Sequence, residues 1–365
     1  MQSSDILPLI KGAFSDWNED KAPRLAAAVA YYTVFSLAPL LVIVIAIAGL
    51  VFGEEAARGA LSNQIEGLVG STGAQAIEEM IKGASHRESG IIATVIGIVT
   101  LLFGASGLFG QLQDALNTIW EVQPKPGQGI VATLKQRFFS FTMVLGTGFL
   151  LLVSLVVSAA LAGVVQYFQG FLPGADWIWQ VVNFVIGLAV TTLLFALIFK
   201  IIPDAEIAWS DVWIGAAATA VLFSVGRLLL GLYLGRSSFG STYGAAGSFV
   251  VLLIWIYYSA QILFLGAEFT QVYANRFGSR VKPSPNAVAL TDQDRAQQGI
   301  PRKEQVEAAV REREVGGLER EVGGADPGRV PAPAASTPER EHGPVTTGLA
   351  GFIAGLLVGR RQRQK

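Results

Sequence analysis

YGAAGSFVVLLIWIYYSAQILFLGAEFTQVY, residues Tyr243–Tyr273, contains an apolar run from Phe249 to Phe269. About 20 residues rising about 1.5 Å each cross the hydrocarbon of a bilayer, so this run is long enough to span. It is not uniformly apolar. Tyr257, Gln261 and Glu268 follow one another at steps of four and seven, which places all three on one face of a 3.6-residue helix. A polar stripe is costly against lipid, so this face is expected against other protein or a wet cavity.

Working outward, five further apolar runs fit the same pattern. Spans are expected at about 26–52, 91–109, 139–165, 177–199 and 212–234, with the quoted stretch supplying the sixth at 247–273. The whole chain agrees: of 365 residues 52% are hydrophobic and only 15% charged, against about 25% charged in soluble domains. The fold class is therefore all-α, a polytopic integral membrane protein with one transmembrane domain over 26–280. Pro39 in the first span removes a backbone hydrogen bond and is expected to kink it. Gly104, Gly107 and Gly110 at the end of the second span allow close helix contact or a local break.

Residues 1–25 read as an amphipathic N-terminal segment, with Ile6, Leu7, Ile10, Phe14 and Trp17 spaced as one face of an interfacial helix. The connector 53–89 carries two amphipathic patterns and is expected as a pair of short helices outside the membrane. From 281 to 343 the chain turns to proline, glycine, glutamate and arginine, which predicts a disordered charged tail. The motif ERE-VGG occurs in it twice, at Glu312–Gly317 and Glu319–Gly324. Residues 344–365 form a short apolar and basic terminus, too short to span.

Six spans put both termini on one side. Lys11, Lys21, Arg24, Lys125, Lys135, Arg137, Lys200, Arg276, Arg280 and Lys282 lie on that side, against Arg58, Lys82, Arg87 and Arg236 on the other. The basic excess predicts that both termini are cytoplasmic.

Absences bound the chemistry. With no cysteine and two histidines, disulfides, thiolate metal sites and histidine clusters are excluded or disfavoured. A net charge of −1 gives no basic surface for nucleic acid. No phosphate-binding G-x-x-x-x-G-K-[ST] loop, H-E-x-x-H or G-x-S-x-G is present. No catalytic, metal or cofactor-binding residue is assigned, and the expectation is that the chain is not an enzyme.

Two polar groupings remain. Tyr32, Ser36, Asn183, Thr191, Tyr257 and Gln261 lie near the middle of their spans and would line a cavity if they converge, or act as interhelical hydrogen-bonding glue if they do not. Arg24, Gln111, Asp114, Asn117 and Glu268 fall at the cytoplasmic mouth, where Glu268 is expected to meet a basic group such as Arg24, Lys135, Arg137 or Lys200. Arg227 is charged too, but it falls near the opposite surface from Glu268 and is not expected to pair with it.

Three blocks, AAAVAYYTVFSLAPLL (Ala26–Leu41), QLQDALNTIW (Gln111–Trp120) and YGAAGSFVVLLIWIYYSAQILFLGAEFT (Tyr243–Thr270), resemble the YihY/virulence factor BrkB membrane family, sometimes labelled ribonuclease BN. The resemblance covers roughly residues 10–278. It implies a multi-pass protein of the bacterial cytoplasmic membrane with six spans, linked to envelope integrity, resistance or export. A ribonuclease site would need acid–base or metal groups and a basic surface, which the sequence lacks. The expected function is transport of a lipid-like or small amphiphilic molecule, with membrane lipids as partners and a homo-oligomer allowed. The alternative is a noncatalytic scaffold recruiting partners through the tail.

Overall fold

The computed structural model describes residues 3–85, 107–125, 176–236 and 245–323. The expected third span, nearly all of the second with Gly104, and the tail beyond residue 323 lie outside the described residues.

Helix α1 (Ser3–Glu19) leads into α2 (Ala22–Phe52). Pro23 sits in the first turn of α2, where its missing N–H costs nothing, and Gly53 ends the helix with φ 83°, its N–H donating to Gly49 O. The helix runs on through Pro39. Helix α3 (Glu54–Ser85) follows. It is not straight: Arg58 and Glu78 lie 20 residues apart, about 30 Å on a straight helix, yet both line one small cavity with Ile45 and Ile77. The run therefore doubles back between Ile65 and Ala74. Its apolar side chains Leu61, Ile77 and Ile81 pack with Ala30, Val34 and Ile45 of α2 and with Leu252 and Ile256 further along the chain. The connector thus packs against α2 and α7.

Helix α4 (107–119) enters β1 (Val122–Pro124). Helix α5 (Asp176–Ile201), β2 (Ala205–Glu206), α6 (Trp209–Arg236) and α7 (Ala245–Phe277) follow among the described residues. Among the described residues, three helices carry windows long and apolar enough to cross a membrane, Phe184–Ile201, Trp209–Tyr233 and Phe249–Phe277. Phe184, Val185, Val221 and Leu228 point outward from α5 and α6, as lipid-facing surfaces do. Helix α7 is the central element, packed against α1, α2, α3 and α6.

Helices α6 and α7 meet through two interlocked pairs. A Cβ on Gly215 would run into Thr270, and one on Gly266 would run into Thr219, so glycine at both places lets the backbones approach. The two hydroxyls are satisfied inside their own helices, Thr219 donating to Gly215 O and Thr270 to Gly266 O, each at 2.7 Å. This antiparallel register also sets Gly226 against Tyr258 and Ile262. Arg227 is accordingly about 15 Å along the axis from the level of Glu268.

Two expectations change here. The segment from 281 is not a disordered tail at its start: it forms β3 (Lys282–Pro283), β4 (Ala287–Ala289), α8 (Asp292–Gln297) and α9 (Lys303–Gly323). Strand β3 pairs antiparallel with β2, and β4 with β1. Leu290, Arg295 and Ile300 are buried against the bundle. The composition hid this because so few side chains provide the anchorage. The fold is also not purely α, since these two short ladders clamp the segment to the loops after α4 and α5. Both ERE motifs lie on α9, with only the last glycine of the second beyond it. In α1, Leu9, Ala13 and Trp17 face the bundle while Ile6, Leu7, Ile10 and Phe14 stay exposed, so Trp17 leaves the expected interfacial face.

Candidate functional site

At the end of the bundle where α1 meets α2 and α7 finishes, the chain gathers charge out of water. Glu268 on α7 is 1% exposed, and its Oε1 has no hydrogen-bond partner among the described residues. The charged groups around it are Asp20, Asp16, Arg295 and Glu121. Asp20, 4% exposed, accepts a 2.5 Å hydrogen bond from Arg295 Nη2, and Arg295 is itself 2% exposed. The indole N–H groups of Trp17 and Trp120 and the Nε–H of Arg295 are also buried without partners among the described residues.

Local structure explains the placement. Thr291 caps α8 through a reciprocal box with Asp294, and Gln123 Nε2 donates to the same carboxylate at 2.7 Å. Those bonds hold Asp294 below the usual carboxylate range and aim the next residue, Arg295, inward. Arg302 closes the rim, donating to Glu121 and Asp292. Lys21 Nζ reaches Gly299 O at 2.6 Å. Burial pushes the Asp20 carboxyl up to about 6 against the opposing pull of Arg295, and burial with the neighbouring Glu19 raises Asp16 as well.

The expected mouth cluster is therefore dispersed. Arg24 is exposed, Lys200 donates to Ile207 O, and Lys135 and Arg137 lie outside the described residues. The counter-charge for Glu268 comes instead from Arg295, in the segment expected to be disordered. Asp114 is exposed and Gln111 half-buried. Asn117 is buried in another role: its Nδ2 donates to Asp204 Oδ2 at 2.9 Å, its Oδ1 accepts from Asp204 N at 2.7 Å, and Gln113 adds a bond to the same carboxylate. Sequence reasoning missed Asp20, Glu121, Asp204 and Arg295. The T-x-x-D box at Thr291–Asp294 was the available signal of order around Arg295.

Of the mid-span residues, Gln261 is 3% exposed with Oε1 unpartnered among the described residues, and Tyr257 lies one turn earlier, bridging the two apolar cores. Tyr32 on α2 packs its ring on Gly107. Ser36 and Thr191 bond within their own helices, to Thr33 O and Gly187 O. Asn183 and Thr191 sit on α5, which packs chiefly on α6. A Cβ on Gly110 would meet nothing within 4 Å among the described residues. No cluster of acidic residues and histidines able to hold a metal occurs among the described residues.

A helical bundle with apolar helices long enough to cross a membrane and with buried ionic groups defines the class, a helical membrane protein. Comparison makes it specific: the family described as virulence factor BrkB matches residues 13–291, and the chain belongs to that family. Among curated relatives, a UPF0761 membrane protein of a Psychrobacter species is 30% identical over 294 residues, 77% of this chain and 52% of its own. One from Pseudomonas aeruginosa is 28% identical over 251 residues, 68% and 58% respectively. A third, from Rhodospirillum centenum, is 29% identical over 271 residues, 73% and 57%. The chain thus spans little more than half the length of the curated relatives it matches. No solved structure matches it.

Proposed function

We propose that the protein is of transport type, moving or sheltering a lipid-like or small amphiphilic molecule across the cytoplasmic membrane of a bacterium, with no enzymatic step. The observation that carries this reading is the polar face of α7: Gln261 sits buried in a helix of spanning length with its side-chain oxygen unpartnered among the described residues. Unsatisfied polar atoms at membrane depth cost free energy, and proteins retain them where a substrate, ion or water completes them. Tyr257, amphipathic and on the same face, suits an amphiphile.

A deletion strain complemented with this chain tests the reading. Wild type should restore envelope lipid composition and small-molecule efflux, while Gln261→Ala and Tyr257→Phe should restore them poorly at normal membrane levels. Full rescue by both variants, or no envelope change on deletion, contradicts transport.

A further inference from the structure

We propose that the exposed apolar side of α1 is a lipid-contacting surface, seating this helix in the headgroup layer of the bilayer that α5, α6 and α7 are long enough to cross. Ile6, Leu7, Ile10 and Phe14 are between 43% and 60% exposed. At 3.6 residues per turn they share about 100° of arc, beside the flank of Leu9 and Ala13 that is buried in the bundle. The exposed polar residues Lys11, Ser15 and Asn18 lie beyond them. A helix with one packed, one apolar and one polar flank suits a boundary between lipid and water. Its level along the bundle agrees. A Cβ on Gly12 would lie 3.4 Å from Val272 of α7, and Val272 stands about 35 Å along that helix from Phe249, where its apolar window begins. Hydrocarbon is about 30 Å thick, so the contact falls in the interfacial layer at the end of the span. Phe14 is held in place by stacking on buried Trp17, with ring centroids 5.5 Å apart. The attachment is apolar rather than ionic, because α1 carries Lys11 against Asp5, Asp16 and Glu19, too little basic charge to draw it to anionic headgroups.

This surface rests on the membrane class and not on the transport reading, so either can fail alone. The chain has no cysteine, which lets a single spin label report one position at a time. Ile10→Cys and Phe14→Cys probe the apolar flank, and Ser15→Cys and Asn18→Cys the polar one, all at exposed positions that tolerate a label. The labelled full chain is placed in nanodiscs of phosphatidylcholine, with and without phosphatidylglycerol, and its collisions with oxygen and with a water-soluble nickel complex are measured by paramagnetic resonance. Oxygen concentrates in lipid and the nickel complex in water. The ratio of oxygen to nickel collisions should be higher at 10 and 14 than at 15 and 18, in both lipid mixtures. Equal access of nickel to all four positions overturns the proposal, since the apolar flank would then face water. Immobile labels at 10 and 14 that neither reagent reaches overturn it too, because protein, from residues 126–175 or from a second copy, would then cover the flank. A contrast that requires phosphatidylglycerol contradicts the apolar attachment.

Discussion

Asp20 and Arg295 stand 275 positions apart and meet at 2.5 Å, and the pair shows how burial and attraction compete at one residue. The carboxyl rises from an ordinary 3.8 to about 6 despite the guanidinium, so desolvation outweighs the ion pair. The folded chain thus binds more protons here than the unfolded one between those two values. Its stabilising contribution is complete below 3.8 and is lost as pH climbs through about 6. Melting temperatures of wild type should therefore fall across that window relative to Asp20→Asn, whose curve lacks the slope. Two parallel curves would contradict this. At this scale the sequence marked Glu268 as a carboxyl in an apolar run, expected at the cytoplasmic mouth beside a basic group. It could not show the partner, because a salt bridge across such a separation leaves no local pattern.

Among the elements, α6 and α7 depend on two glycines that let threonines of the opposite helix approach. A Cβ added at Gly266 would overlap the side chain of Thr219, which is itself buried. Gly266→Val should destabilise the protein by about 1–3 kcal/mol in detergent unfolding, the usual cost of overpacking. A change under about 0.5 kcal/mol would mean the helices do not meet as described. A glycine followed by three alanines in an apolar run, as at Gly215–Ala218, is legible as a packing surface, since small residues there have few other uses. The partner helix was not, because many helices could meet such a face. Likewise the polar block Gln111–Trp120 stood out in sequence as a mouth lining. In the fold its Gln113 and Asn117 bind Asp204 and fix the loop after α5. Polarity at a span end gives no means of telling a substrate contact from a clamp.

For the whole molecule, hydropathy was enough to place α5, α6 and α7, because an apolar run of 20 residues has little alternative to a bilayer. It failed for 281–302, where two short ladders and a single inward arginine produce order without an apolar pattern. Those residues close the end of the bundle on which Glu268 lies, so any recruiting role of the C-terminal region belongs to α9 and beyond. The central claim is that the polar face of α7 serves a ligand rather than only packing. An experimental map of the full chain in nanodiscs of its native lipids tests this most directly. Ordered lipid or amphiphile density is expected against Tyr257 and Gln261, and a dry, closely packed bundle there would contradict a ligand-serving face.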